Sequence, residues 1–229
     1  MSIYLTALIF LGLKIYFHHG KIVVLNLNIA KYKNLSKIIS AYLKLDFQTE
    51  VMNRLSSGKN DFYPAVFISD EYSEYCTVSD SQFFSQSREA KCINIVATQS
   101  YTSLLNSLNN QYSVQVILQS LVNKLWFRTD DIYTIENAQK QIGKEDKEKK
   151  STSISENAKE TKYSYFSRSL NSNNSSISES INTYLQNDYI YDTKFFTQEL
   201  ENFSCLSFLS DGNTIIPPQK IKLKPYFKN

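Results

Sequence analysis

The sequence is poor in residues that break regular structure and in residues that bind transition metals. Its 229 residues include only five Gly and four Pro, which excludes a linker-dominated chain and favours closely packed regular elements. Only two His occur, His18 and His19, and no third ligand lies near them in sequence. This favours an exposed turn over a zinc site at that position.

Cysteine usage excludes a disulfide framework. Cys76, Cys92 and Cys205 are scattered and form no C-x-x-C pair, so they indicate reduced thiols in a cytoplasmic protein. The net charge of +3 is spread along the chain, so composition alone does not indicate a nucleic-acid-binding protein.

A long hydrophobic run is also lacking. The segment Ile3–Phe17 is strongly apolar, but Lys14 interrupts it, and it is shorter than the roughly 20 residues of a membrane-spanning helix. It has neither the preceding positive charge nor the cleavage site of a signal peptide. We therefore interpret residues 1–19 as an N-terminal segment that is either a remnant helix of a larger domain or a weak membrane anchor.

Strand-type and helix-type patterns alternate through residues 20–143. The predicted strands are Gly20–Ile29, Ala65–Ile68, Lys91–Thr98 and a short one around Leu125–Phe127. The predicted helices are Asn34–Leu55 (with an apolar face of Leu35, Ile38, Ile39, Tyr42, Leu45 and Met52), Gln99–Leu108, one from Val114, and Thr134–Gly143 (with Thr134 as N-cap and Gly143 as C-terminal stop). This alternation predicts an α/β fold with a mostly parallel sheet and helices on both faces.

The remainder of the chain differs in composition. Lys144–Lys162 carries charges of both signs, which predicts a solvated helix, and Leu170–Ser180 is a Ser/Asn-rich loop. We therefore treat residues 144–180 as one charged helix-and-loop region. Residues 181–229 are expected to complete the domain with a helix and with strands near Cys205–Leu209 and Ile221–Leu223.

The strongest chemical signal is the end of the strand in "AVFISDEY". Two carboxylates, Asp70 and Glu71, follow a run of apolar residues, as in a Walker B motif. In that motif the first acid, here Asp70, holds Mg²⁺ and the second, Glu71, accepts a proton from the attacking water. The alternative is that these acids simply cap a helix after a buried strand.

Two further polar residues lie close to this motif in sequence. Gln99 follows the next strand, where an amide can contact a γ-phosphate, although it can equally cap the following helix. Arg88 lies between the two strands and suits an arginine finger that reaches a neighbouring subunit, the alternative being a surface salt bridge.

The phosphate-binding loop of such a site is missing. The sequence contains no G-x-x-x-x-G-K-[ST] motif, and "SSGKND" at residues 56–61 has the Gly-Lys pair without the first Gly or the preceding strand. The chain thus has the metal-binding part of a nucleotide site without the part that holds the phosphates.

Four segments together resemble the carboxyl half of conjugative coupling ATPases of type IV secretion, the TraG/TraD class that includes the TraM-recognition segment. They are "AVFISDEY", "SREAKCINIVATQSYTSLL", "NKLWFRTDDIYTIENAQKQIG" and "FFTQELENFSCLSFLSDG". The resemblance covers roughly residue 20 to the end. It implies a RecA-like P-loop NTPase core that lacks the Walker A strand and loop.

The resemblance also implies a function. Such proteins are membrane-tethered hexamers that use ATP and Mg²⁺ to pump single-stranded DNA, with its relaxase, into the secretion channel. Asp70 and Glu71 match the Walker B acids, Gln99 the sensor glutamine, and Arg88 the inter-subunit arginine. Weaker DNA-contact candidates are Lys91, Lys124 and Arg128.

Since the Walker A part is missing, we expect a truncated or split product that is not an autonomous ATPase. Its expected partners are copies of itself, single-stranded DNA, a relaxosome or accessory protein, and a Walker A-bearing polypeptide. We expect it in the cytoplasm, at the inner face of the membrane with the secretion machinery. The alternatives are a non-catalytic module that docks a relaxosome or accessory protein and, last, a metal-dependent nuclease or phosphatase.

Overall fold

The computed structural model describes residues 21–27, 29–57, 62–157 and 176–227. The chain divides into two compact units. The first runs to Ala138 and resumes at Thr193, and the second is Gln139–Asp192. The predicted boundaries at residues 19, 143 and 180 remain predictions. Both the apolar segment Ile3–Phe17 and the His pair lie outside the described residues.

The described part of the predicted first strand, residues 21–27, does not form a strand. Residues 21–27 belong to neither a helix nor a strand, and a short helix α1 (Ile29–Tyr32) follows. Ile22 and Val24 expose 92% and 82% of their surface. The run has the β-branched composition of a strand, but a strand also needs a partner for its backbone groups, and no sheet of the described residues includes it.

The long helix α2 (Asn34–Ser56) confirms the predicted helix, but the predicted buried face is wrong. Leu35, Ile38 and Tyr42 are each at least half exposed. The buried side is instead formed by Ser36, Leu43, Lys44, Gln48 and Val51. Apolar periodicity failed here because two of the buried positions carry a charged or amide side chain that has buried partners.

Strands β1 (Ala65–Ser69) and β2 (Cys92–Val96) form a parallel pair, as predicted. Helix α2 covers one face of this pair, where the Phe47 ring stacks on Phe67 with centroids 5.7 Å apart. Arg54 at the end of the helix donates hydrogen bonds of 3.0 and 3.1 Å to the carbonyl oxygens of Tyr63 and Ala90. These contacts fix the helix against the amino ends of both strands.

Three helices occupy the next part of the first unit. Helix α3 (Asp80–Gln86) precedes β2, and α4 (Tyr101–Leu108) and α5 (Gln111–Ser120) follow it. The side chains of Ser100 and Asn110 cap α4 and α5 by accepting hydrogen bonds from the backbone N–H groups of Ser103 and Ser113. Asn109 turns the chain between them in the left-handed region, with φ +47°, which Asn adopts more readily than most residues.

The expectation of a mostly parallel sheet is wrong beyond β1 and β2. Strand β3 (Lys124–Phe127) pairs antiparallel with β6 (Ser204–Ser210), which pairs antiparallel with β7 (Ile215–Lys222). Trp126 of β3 packs against Phe208 of β6 with ring centroids 6.1 Å apart. Where a C-terminal helix was predicted, the structure forms a single π-helical turn, Phe195–Glu199.

Helix α6 (Ile132–Ile142) is capped differently from the prediction. Asp131, rather than Thr134, takes the capping role, because its Oδ2 accepts a hydrogen bond from the Thr134 backbone N–H at 2.9 Å. Gly143 ends the helix as predicted: its φ is +101° and its N–H donates to the Gln139 carbonyl, a backbone conformation that favours glycine.

The second unit contains a β-hairpin where a charged helix was predicted. Strands β4 (Lys144–Asn157) and β5 (Ser176–Tyr189) pair antiparallel along their whole length. Lys and Glu side chains favour a helix when isolated, but here Lys149 pairs with Asp188 at 2.5 Å across the strands. Part of the predicted loop Leu170–Ser180 lies outside the described residues, and Ser176–Ser180 belongs to β5.

Within the described ranges, no helix combines the length and apolarity needed to cross a membrane.

Candidate functional site

The predicted acidic residues lie at the carboxyl end of β1. Asp70 and Glu71 directly follow Ser69, the last residue of the strand, and both are exposed. Asp70 Oδ1 accepts a hydrogen bond from the Glu71 backbone N–H at 2.9 Å. Neither acid makes a side-chain capping bond to the 3₁₀ turn Tyr72–Glu74 that follows, so the capping interpretation does not explain them.

The backbone is strained at the acidic tip, which is formed by Asp70 and Glu71. Glu71 has φ +48° and ψ +42°, a left-handed conformation that non-glycine residues rarely adopt. The Tyr75 hydroxyl donates to the Asp70 carbonyl at 2.7 Å and lies 2.6 Å from Ser69 Oγ, which therefore donates to it. Burial raises the pKa of Tyr75, so this tyrosine stays protonated and keeps its donor. The strain at Glu71 is thus held by fixed contacts on both sides.

Backbone hydrogen bonds continue the parallel ladder beyond the strands. The Ala97 N–H donates to the Ser69 carbonyl at 2.8 Å, and the Tyr72 N–H donates to the Ala97 carbonyl at 2.9 Å. Because the two strands are parallel, their carboxyl ends share one edge. Gln99, two residues past Ala97, is exposed. The structure therefore brings Asp70, Glu71 and Gln99 to the same edge.

Gln99 does not cap the following helix. The capping side chain of α4 is Ser100, whose Oγ accepts a hydrogen bond from the Ser103 backbone N–H at 3.0 Å. The amide of Gln99 therefore has no role in starting the helix, which leaves its assignment as a sensor residue a prediction.

Arg88 lies at the other end of the strand pair. It is exposed in the turn between α3 and β2, and Cys92 at the start of β2 is paired with Ala65 at the start of β1. Five residues of strand span about 17 Å at the usual rise per residue. Arg88 and the acidic tip of one chain are thus at opposite ends of the same strands.

The three basic residues predicted to contact DNA are dispersed along the fold. Lys91 precedes β2, Lys124 opens β3 and Arg128 follows β3. The four residues of β3 separate the last two by roughly 13 Å. Burial lowers the pKa of Lys124 to about 8, so this side chain is a poorer fixed cation than an exposed lysine.

A buried cluster of charged and hydrogen-bonded side chains in the first unit was not predicted from the sequence. Lys44 of α2 and Asp80 at the start of α3 form an ion pair, with Nζ 2.6 Å from Oδ2 and side-chain exposures of 2% and 0%. Lys44 also donates to the Tyr75 carbonyl at 2.9 Å and to Thr77 Oγ1 at 3.1 Å. A single lysine thus joins the long helix to the loop after the acidic tip.

Asp80 is fully satisfied as an acceptor. Gln48 donates to Oδ1 at 3.0 Å, the Thr77 N–H donates to Oδ2 at 3.0 Å, and the Tyr72 hydroxyl donates to Oδ2 as well. Burial by itself raises the pKa of a carboxyl, but Lys44 and these donors hold the pKa of Asp80 below its usual range. Burial and the Asp80 charge both raise the pKa of Tyr72. The buried cluster is therefore a charged aspartate enclosed by donors.

The sequence contained one faint signal for this cluster. Lys44, Gln48 and Val51 follow one another at four and three residues, the spacing of one helix face. A polar residue on such a face usually marks the boundary of the apolar stripe. Its burial can be predicted only when a buried partner such as Asp80 is known.

The described residues contain no group of three or more His, Cys, Asp or Glu side chains that could hold a metal ion. Asp70 and Glu71 are two acids and do not by themselves form such a group.

Comparison with known families is decisive for the classification. The model of the family described as the TraM recognition site of TraD and TraG matches residues 64–186, which is 123 of the 229 residues. The chain belongs to this family. The matched TraG/TraD region extends from just before β1 into β5, and it includes all seven site residues predicted above.

A solved structure supports the same relationship at the level of the fold. The chain is similar to the bacterial conjugative coupling protein TrwBdeltaN70 in its unbound monoclinic form, with a TM-score of 0.52 and 15% sequence identity. The match covers 82% of this chain and 37% of the coupling protein, so this chain spans well under half of that protein. At this identity the likeness concerns the mixed α/β fold. No curated protein matches the sequence significantly.

Proposed function

We propose that this TraG/TraD-family chain is the metal-binding and sensor part of a coupling ATPase that transfers single-stranded DNA in conjugative type IV secretion. Its first unit would then be part of a RecA-like P-loop NTPase core. The observation that carries the proposal is the parallel pairing of β1 with β2, which places Asp70, Glu71 and Gln99 at one edge. Open parallel sheets bind their ligands at this edge.

The residues at the tip fit part of a Mg-ATP site. Mg²⁺ is usually held by one or two carboxylates together with nucleotide phosphates, and Asp70 is exposed and able to serve as such a ligand. The 229-residue sequence contains no phosphate-binding loop, so the remainder of the site does not fit. This chain alone would therefore hold the metal without the phosphates, and the phosphate-binding loop would come from a Walker A-bearing polypeptide.

The position of Arg88 supports action between subunits. It lies at the end of the strands remote from its own acidic tip, so as an arginine finger it would serve the site of a neighbouring copy rather than its own. This agrees with the hexameric ring that the family resemblance implies. Lys91, Lys124 and Arg128 would contact the DNA backbone, and the assembly would lie at the cytoplasmic face of the membrane.

A second candidate function is docking of a relaxosome or accessory protein without catalysis. The family is named for recognition of TraM. The hairpin of residues 144–157 and 176–189 belongs to a compact unit of its own and exposes Ile181, Tyr184 and Leu185. Purified TraM is the probe for this candidate. Binding that is lost in Ile181→Lys with Leu185→Lys, but retained in Asp70→Asn, would assign the contact to the hairpin.

Calorimetric titration of the purified chain with Mg-ATP tests the first proposal. Heat of binding that disappears in Asp70→Asn would show that the acidic tip holds the metal-nucleotide complex. Glu89→Gln is the matched control, because Glu89 is an exposed acid at the opposite end of β2, and it should bind as the unaltered chain does.

The chain alone and the chain mixed with a Walker A-bearing polypeptide are compared in the same titration. Binding that requires the mixture supports a divided site. The absence of heat in both samples, from protein whose circular dichroism shows it to be folded, would overturn the assignment of Asp70 and leave the docking function.

A further inference from the structure

One face of the β1–β2 pair is apolar and open to solvent. Val66 lies opposite Ile93 and Ile68 opposite Ile95, and the four side chains are between 51% and 71% exposed. The other face is covered by α2 through the contact of Phe47 with Phe67. Parallel sheets are almost always covered on both faces. The exposed face of this pair therefore has the apolar composition of a surface that a second layer of structure usually covers.

The same pair also has unused strand edges. In the sheets formed by the described residues, β1 pairs only with β2 and β2 only with β1. Each strand therefore presents an outer row of backbone N–H and C=O groups without a strand partner, which is a template for strand addition. None of the ten residues of the two strands is charged, so charge does not oppose an incoming strand.

Residues 21–27, with the sequence KIVVLNL, have the properties of such a strand. They are rich in β-branched residues and carry a single charge, on Lys21. Ile22 and Val24 are almost entirely exposed. Since side chains alternate along a strand, these two residues would share one side of the added strand.

We propose that residues 21–27 of one copy add as an edge strand to the β1–β2 pair of a second copy. Ile22 and Val24 would then widen the apolar face made by Val66, Ile68, Ile93 and Ile95. A second copy is the occupant because the structure holds this run off its own sheet, and every copy carries both the free strand and the free edge. Reciprocal addition closes a two-fold dimer. The association needs neither nucleotide nor a phosphate loop, so it is independent of the proposed function.

Light scattering after size-exclusion chromatography tests the proposal on the full chain. Without nucleotide and without a Walker A-bearing polypeptide, the expected mass of the unaltered protein is twice the chain mass of 26.5 kDa. Val24→Pro should give the mass of one chain, because proline removes a ladder N–H from the run. The run belongs to no helix or strand, so this change leaves the fold intact. Val24→Thr keeps the β-branched shape and should remain a dimer.

A mixing experiment identifies the receiving surface. Ile68→Lys, at a side chain that is 71% exposed, damages the receiving face and keeps the free strand, whereas Val24→Pro does the reverse. Each should be a single chain alone, and their mixture should form a two-chain species through one added strand. Ile215→Lys, at an exposed residue of β7, should not change the mass.

Three outcomes would overturn the proposal. The first is a single-chain mass for the unaltered protein, and the second is an unchanged mass in Val24→Pro. The third is a mixture that remains monomeric, because the free strand of Ile68→Lys would then not add to the intact face of Val24→Pro.

Discussion

Lys44 Nζ lies 2.6 Å from Asp80 Oδ2 in a position from which solvent is almost wholly excluded. The pair joins α2 to the segment that follows the acidic tip, because Tyr72, Tyr75 and Thr77 are bonded to one or both of its members. The candidate site thus depends on a buried charge pair that takes no part in its chemistry.

Breaking this pair should strongly destabilise the chain. Lys44→Met leaves the Asp80 carboxylate buried without its counter-ion, which typically costs about 3–5 kcal/mol of the free energy of unfolding. Urea denaturation measures the loss. Lys37→Met is the control, because Lys37 pairs with Glu74 at 2.7 Å on the surface, and its loss should cost less than about 1 kcal/mol. Equal effects of the two changes would contradict a buried, coupled pair.

Acid should destabilise the protein through two aspartates. The pKa values of Asp80 and Asp131 are lower in the folded protein than usual, even though burial acts in the opposite direction. The unfolded chain therefore takes up protons more readily. Their stabilising contribution is complete above the unfolded pKa of about 3.9 and is lost as the pH falls through the folded values. Urea unfolding between pH 3 and 7 checks the sign, since a free energy that rises on acidification is incompatible with it.

Asp131→Ala should show the value of the cap on α6. The carboxylate accepts hydrogen bonds from the Thr134 N–H and from the Thr102 hydroxyl, at 2.9 and 2.5 Å, so its removal should cost about 1 kcal/mol or somewhat more. Thermal or urea unfolding gives the difference. Asp130→Ala, at the exposed neighbouring residue, should change the free energy of unfolding by less than about 0.5 kcal/mol. A larger effect there would shift the capping role to Asp130.

The left-handed conformation of Glu71 allows backbone and carboxylate effects to be separated. Glu71→Gly should leave stability within about 0.5 kcal/mol, because relief of strain offsets the entropy that glycine loses on folding. Glu71→Val should lower it by about 1–2 kcal/mol, since a β-branched residue is strained at this φ. Both changes remove the acid. A Mg-ATP affinity that falls equally in both variants would reflect the carboxylate, and one that falls only in the Val variant would reflect the backbone.

The sequence predicted those elements whose signals are local. Strand β1 was found because an apolar run ends in turn residues, and the end of α6 because only Gly143 suits the conformation required there. Asp70, Glu71 and Gln99 each follow a predicted strand in the sequence, and the parallel pairing of β1 with β2 brings them to the same end of the sheet.

The remaining elements depend on partners that a local pattern cannot reveal. The charged β4 resembles a helix until β5 is paired with it, and residues 21–27 resemble a strand although they have no partner. Likewise, the buried side of α2 was missed because Lys44 is stable there only with Asp80, which lies 36 residues further along the chain.

The ladder that continues past β1 and β2 has an evolutionary consequence. Ala97 joins the acidic tip to the strand that leads to Gln99 through its backbone N–H and carbonyl alone. Natural selection can therefore exchange its side chain freely while the geometry of the tip is preserved. We expect the side chain at this position to vary among relatives and proline to be excluded, since proline would remove the N–H that bonds to the Ser69 carbonyl.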